Sequence, residues 1–195
     1  SSVYGMNQKQ PLSEKDNVDH PIQFYAATKR SNELMAHSYS ELYKIKTTGL
    51  RFFTVYGSFG RPDMALYKFV ESIIKNKTIY VNNYGRHSRD FTHIEDVVNG
   101  IIKIISKPSR NKIPYDIFNI GSSKPIKLLE YIKNIEFILN KRGKKKFLPL
   151  QNGDVVKTHS NISKLRKKTK FKIQYDIKRG LKEFIDWYKT YHKIK

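Results

Sequence analysis

Tyr25 and Lys29 stand four residues apart in the run Tyr-Ala-Ala-Thr-Lys, a spacing that places both side chains on one face of a helix. The chemistry open to such a pair is proton transfer. A free phenol ionises near pH ~10, and lowering that value by about three units takes roughly 4 kcal/mol of preferential phenolate stabilisation. The fixed charge of Lys29 supplies part of it, and a serine hydroxyl aimed at the same oxygen could relay or hold a substrate proton. Ser1 and Ser2 are the candidates. Spacing alone is weak support, because a tyrosine and a lysine one turn apart also occur in helices that do no chemistry.

Other reagents are scarce. The chain has no cysteine, which removes disulfides and thiolate metal sites and points to a reducing, cytoplasmic setting. His87 and His93 lack partners at metal-ligand spacing, so no metal is expected. There is neither a nucleophilic serine elbow nor a phosphate-cradling lysine loop.

The elements that must position the pair follow from periodicity. Apolar and small residues recur at helical spacing from Phe24 to Lys44 with no Gly or Pro between, which predicts a long helix bearing Tyr25 and Lys29 near its start. Before it, Ser1 to Tyr4 reads as the end of a short strand stopping at Gly5, followed by a polar loop. After it, the β-branched and aromatic run Thr48 to Tyr56 predicts a buried strand. Further helices are expected at 66–75, 94–106, 126–140 and 177–191, with strands at 78–81 and 115–120. Glu95 and Asp96 favour the first turn of the third helix through the macrodipole. The Lys-rich stretch at 141–146 reads as a linker. Alternating helices and strands make this an α/β chain.

With 195 residues, 38% of them hydrophobic, the chain can bury one core, or one core plus a small lobe. No apolar run approaches the ~20 residues of a membrane span. The net charge of +21 raises the question of nucleic acid, since clustered Lys and Arg neutralise phosphates. The excess is concentrated in Arg142-Gly143-Lys144-Lys145-Lys146 and Lys164-Leu165-Arg166-Lys167-Lys168, with no interleaved aromatics and no nucleic-acid module. A solvated basic surface is the preferred reading, and it would also steer an anionic substrate.

Seven segments in register give the pair its context. They are Ser-Ser-Val-Tyr-Gly at 1–5, Tyr-Ala-Ala-Thr-Lys at 25–29, Gly-Leu-Arg-Phe-Phe-Thr-Val-Tyr-Gly at 49–57, Gly-Arg-Pro-Asp-Met-Ala at 60–65, Ser-Arg-Asp-Phe-Thr-His-Ile-Glu-Asp-Val at 88–97, Phe-Asn-Ile-Gly at 118–121 and Gln-Asn-Gly-Asp at 151–154. In these the chain resembles the extended short-chain dehydrogenase/reductases of the NAD-dependent epimerase/dehydratase family, in particular their UDP-glucuronate 4-epimerase branch. The resemblance implies the carboxy-terminal portion of a Rossmann-type parallel sheet plus a small α/β substrate-binding lobe. Residues 1–57 and 94–120 would complete the Rossmann part, and 58–93 and 121–195 would form mainly the lobe.

The resemblance also implies roles. Tyr25 would be the catalytic acid/base, Lys29 would bind the nicotinamide ribose of NAD and lower the tyrosine pKa, and Ser2, with Ser1 as the alternative, would stand beside the reacting sugar carbon. Phe53 matches a cofactor-contacting position. Thr54 and Arg61 match positions associated with a sugar carboxylate, for which a guanidinium offers a planar fork. Arg89 would approach the UDP diphosphate, with Gln151 and Asp154 near the nucleotide. A homodimer is implied, packed through the Tyr25 helix and the helix from about residue 94. The ten glycines contain no Gly-rich strand-turn-helix cluster of the dinucleotide-binding kind, so the amino-terminal NAD-binding half of the family fold is expected to be absent and the chain to be inactive alone. Rival readings are another NAD-dependent nucleotide-sugar epimerase, dehydratase or decarboxylase, or a non-catalytic fragment binding a UDP-sugar, a partner chain or nucleic acid.

Overall fold

The computed structural model describes residues 1–194. A 3-10 turn at Ser2–Tyr4 comes first, then α1 (Phe24–Tyr43), β1 (Thr47–Phe52) and β2 (Thr54–Tyr56). α2 (Ala65–Ile74) and β3 (Thr78–Val81) lead to β4 (Ser88–Arg89), β5 (Phe91–His93) and α3 (Ile94–Ile105). β6 (Tyr115–Ile120), β7 (Ile126–Lys127), α4 (Leu128–Leu139) and β8 (Lys144–Phe147) precede α5 (Ser163–Thr169) and α6 (Ile177–Tyr191). β1 runs parallel to β6, β2 to β5 and β3 to β8, while β4 and β7 are antiparallel.

Two hydrophobic clusters follow from which faces these elements bury. Phe118 and Ile120 of β6 meet Val97 and Ile104 of α3, Leu165 of α5 and Phe171. The larger cluster joins Val70 and Ile73 of α2, Ile79 of β3, Tyr131 and Ile135 of α4, and Leu181 and Phe184 of α6. Each such fully buried side chain contributes roughly 1.5–3 kcal/mol over exposure. At its start α3 is capped by His93, whose ring accepts from the Glu95 N–H at 3.4 Å. Its Asp96 carboxylate accepts from the backbone N–H of Gln174 at 2.9 Å and Tyr175 at 3.2 Å, tying the approach to α6 onto the helix.

α1 is fastened to the sheet by charge. Arg51 of β1, itself buried, donates to both Glu33 oxygens at 2.7 and 2.8 Å, and Arg30 adds a bond to Glu33 at 3.1 Å. Burial works against the Glu33 carboxylate, and the hydrogen bonds from Arg51 and Arg30 outweigh it, holding the group below its usual range. A bidentate pair of this kind fixes orientation as well as distance, so it sets where the first turn of α1, with Tyr25, meets the sheet.

Four expectations from periodicity are corrected. Ser2–Tyr4 is a 3-10 turn, not a strand end: the N–H groups of Tyr4 and Gly5 bond back to Ser1 and Ser2 at 3.1 Å each, and the Tyr4 ring is buried against Phe53. The single strand expected at 48–56 divides at Phe53. Phe53 donates to Ile120 O at 3.0 Å and Thr54 to Asp90 O at 3.1 Å, so the strand changes partner within one residue. The lysine stretch at 141–146 is no linker from Lys144 on, since Lys144–Phe147 pairs with β3. There Lys145 meets Glu136, and lysines on an exposed edge strand guard it against further pairing. Finally, the helix expected from Ile126 begins at Leu128, because Ile126 and Lys127 pair with Arg89 and Ser88. α5 is an addition, a short helix hidden from periodicity by its basic composition.

Candidate active site

The change of partner at Phe53 opens a crevice at the carboxyl ends of β1 and β2, the place where ligands sit in open α/β sheets. A cavity of about 680 Å³ lies there, and Ser1, Ser2, Tyr25, Phe53, Thr54 and Arg61 all line it. Segments far apart in sequence thus put a phenol, two serine hydroxyls, a threonine and a guanidinium around one space. Its rear wall is aromatic: Tyr56 meets Phe91 edge-on, and Phe91 stacks on Tyr131 at 3.9 Å.

Tyr25 is in the first turn of α1 and 58% exposed, so its hydroxyl is open to a ligand. Lys29, one turn on, has its Nζ 5.2 Å from the centre of the Tyr25 ring. It does not line the cavity; it flanks the phenol from the exposed side of the helix. Phe53, 3% exposed, is buried in the sheet at the cavity wall. Arg61 is held in the loop between β2 and α2, exposed at the cavity mouth and 3.2 Å from Asp63.

Arg89, Gln151 and Asp154 are not in this cavity. They line a neighbouring one of about 1040 Å³ with which it shares Thr54, Ala65 and Phe91 as walls. Arg89 is placed by the β4–β7 pairing and donates to Asp154 at 2.7 Å, while its Nη1 is buried with no hydrogen-bond partner among the described residues. Burial lowers the Arg89 pKa against the pull of Asp154. Arg89 lines this cavity and brings a positive charge to its wall. Gln23, the residue before α1, donates from Nε2 to Gly153 O at 2.5 Å, which ties the start of α1 to the loop that carries Gln151 and Asp154.

Two residues essential to this arrangement carried no assignment from spacing. Asp90, fully buried between Arg89 and Phe91, accepts from Ser122 N–H (2.8 Å) and Oγ (2.6 Å), Ser123 N–H (3.0 Å), and Ser160 N–H (2.8 Å) and Oγ (2.6 Å). It pins the loop after β6 and the 158–160 segment to the strand that bears Arg89. The only signal in the sequence was an acid inside a short β-like run. His87 is the second, buried with Nε2 2.9 Å from Asp154 Oδ2 but not aligned as a hydrogen bond.

Burial pushes the pKa of His87 down, with Asp154 opposing it, and burial does the same to His93, with Glu183 opposing. Both rings are therefore held neutral in the folded chain to a lower pH than in the unfolded one. The unfolded state binds more protons below its ordinary histidine value of about 6.5, so stability falls as pH drops through that region. Urea midpoints measured from pH 7.5 down to 5 are expected to decline, and His93→Gln to flatten the decline. An unchanged slope in that variant would assign the acid sensitivity elsewhere.

The comparisons with known proteins agree with this geometry. The model of the NAD dependent epimerase/dehydratase family matches residues 1–121. The chain is 56% identical over 188 residues to an uncharacterized protein of Methanocaldococcus jannaschii, covering 96% of this chain and 56% of that one. It is 40% identical to a probable UDP-glucuronate 4-epimerase of Rhizobium meliloti, over 96% of this chain and 60% of the relative. Among solved structures it is similar to the UDP-glucuronic acid 4-epimerase of Bacillus cereus in complex with UDP-glucuronic acid and NAD, with a TM-score of 0.91, 30% identity, and coverage of 98% and 60%. The chain thus spans less than two thirds of the length of these relatives. A sheet whose strand changes partner at Phe53, a helix presenting Tyr25 and Lys29 there, and a family match over most of the chain place it in the NAD-dependent epimerase/dehydratase family.

Proposed function

We propose that this chain supplies the catalytic and sugar-binding groups of a UDP-sugar 4-epimerase that acts on an acidic sugar, interconverting UDP-glucuronate and UDP-galacturonate. The observation that carries this reading is the convergence of Tyr25, the serines, Thr54 and Arg61 on one cavity. It is supported by the Bacillus cereus structure, which holds UDP-glucuronic acid and NAD in a matching fold. Tyr25 accepts the proton of the sugar 4-hydroxyl and later returns it to the same oxygen, so it ends each cycle unchanged. Lys29 binds the nicotinamide ribose beside the phenol, and Ser2 or Ser1 holds the sugar oxygen in line. NAD, held through Lys29 and Phe53, would supply the reversible hydride transfer at C4, which is chemistry no side chain can supply.

The remaining groups orient the substrate. Arg61 and Thr54 take the sugar carboxylate at the cavity mouth, and a neutral hexose would leave the guanidinium with Asp63 alone. Arg89 approaches the diphosphate, with Gln151 and Asp154 beside the nucleotide. A homodimer would use one helix surface rather than two. α1 lies on the sheet face of Arg51, whereas α3 packs with Phe118 and Ile120 on the other face. Each carries exposed apolar side chains, Leu34, Met35, Leu42 and Tyr43 on α1 and Val98, Ile102 and Ile105 on α3.

The test is chemical. UDP-glucuronate incubated with NAD and the protein containing this chain is expected to yield UDP-galacturonate, resolved by anion-exchange chromatography. Arg61→Ala is expected to lower kcat/KM for the uronate by about 10–100-fold, the range of a lost charge-assisted hydrogen bond, and to leave any turnover of UDP-glucose unchanged. Equal losses on both sugars would remove the carboxylate from the reading.

A further inference from the structure

The loop that bears Arg61 is fastened in an unusual way. Among the described residues, every hydrogen bond of 58–63 is internal to 57–64: Gly60 N–H to Gly57 O at 3.2 Å, Met64 N–H to Arg61 O at 3.1 Å, and the Arg61 contacts with Met64 Sδ and Asp63. No strand or helix hydrogen-bonds to it. One end is fixed by sterics, since a Cβ on Gly57, at φ 143°, would lie 2.5 Å from Ile94 Cγ2.

Phe59 provides the other fixed point. It has φ 60°, a left-handed conformation that a bulky residue adopts only where surrounding structure holds it. Its ring is 80% exposed, yet it packs against Trp187 of α6 with centroids 5.2 Å apart. Trp187 is held in turn by Tyr191, at 5.3 Å, and Phe184, at 5.4 Å. Phe59 and Arg61 both line the same cavity.

We infer that Phe59 is the positioning residue for Arg61: its ring, seated on Trp187, anchors the loop to α6 and so presents the guanidinium at the cavity mouth, which makes the Phe59–Trp187 pair a determinant of selectivity for acidic sugars. This rests on the assignment of Arg61 to a sugar carboxylate. Without the anchor, the loop must be ordered when the ligand binds, and that cost falls on the carboxylate contact alone. The groups that hold the nucleotide stand on other elements and are not affected.

The experiment is calorimetric titration of the chain with UDP-glucuronic acid and with UDP-glucose. An aromatic pair of this kind corresponds to about a 3–10-fold effect, so Phe59→Ala is expected to weaken UDP-glucuronic acid by that factor and to leave UDP-glucose unchanged. Phe59→Tyr is expected to retain the affinity, Trp187→Leu to reproduce the loss, and the double variant to be no worse than either single one. Trp187 is the chain's one tryptophan, so a red shift of its emission in Phe59→Ala verifies that the contact was broken in a folded protein. Equal weakening of both ligands, or none, overturns the proposal. Arg61→Ala in the same titration separates the two levels. If it discriminates between the ligands and Phe59→Ala does not, only the anchor fails; if Arg61→Ala does not discriminate, the carboxylate assignment fails and the anchor with it.

Discussion

Tyr25→Phe is expected to lower epimerase turnover by about 10²–10⁴-fold, the usual contribution of a positioned acid/base, with little change in UDP-sugar affinity. The substitution removes one oxygen from a side chain that is 58% exposed at the head of α1. No hydrogen bond of the fold uses that oxygen among the described residues, and exposed substitutions of this kind change stability by about 0.5 kcal/mol or less. The ring remains beside Lys29 and the cavity keeps its shape. The loss should therefore fall on kcat, while KM and calorimetric binding hold, the pattern of an interaction made only in the transition state. Steady-state kinetics beside titration would separate the terms. Turnover within about tenfold of the unmodified protein would move the proton transfer to another group.

The second large effect is on stability. Asp90→Ala is expected to cost about 3–5 kcal/mol, the range for breaking a buried charged network by removing one partner. Three backbone N–H groups and two hydroxyls converge on this carboxylate at 2.6–3.0 Å. Without it the N–H groups of Ser122 and Ser160 are left buried without this acceptor, while Ser123 N–H keeps only Ser160 Oγ, at 3.1 Å. Asp90→Asn should rescue little, because its amide would point a donor at groups that are themselves donors. Urea unfolding read by circular dichroism measures the difference, and a loss below about 1 kcal/mol would show that water substitutes for the carboxylate. Since Asp90 precedes Phe91 and follows Arg89, the same variants should also weaken UDP binding before they unfold.

The comparison between chain and fold divides along physical lines. Helices with an apolar stripe were legible to within a residue or two, as at 94–106 against Ile94–Ile105 and 177–191 against Ile177–Tyr191, because burial on one face imposes its period on the residues themselves. Elements whose stabilisation comes from a partner were not. Lys144–Phe147 is a strand only because β3 lies beside it, and Ser2–Tyr4 is a turn because its amides close locally and Tyr4 packs inward. Asp90 is similar, since no spacing in the sequence says that residues 122, 123 and 160 will meet at one oxygen pair.

For the site itself, the sequence by itself determined the reagents: a tyrosine and a lysine on one helix face, in register with six further segments. Tertiary structure decided where they act. The switch of strand partner at Phe53 opens the crevice, the Arg51–Glu33 pair orients α1 over it, and folding assigns Arg61 to one cavity and Arg89 to the next. Local preference can be read from neighbours in sequence, whereas a cavity is made by segments whose contacts are paid for only when the whole chain closes around them.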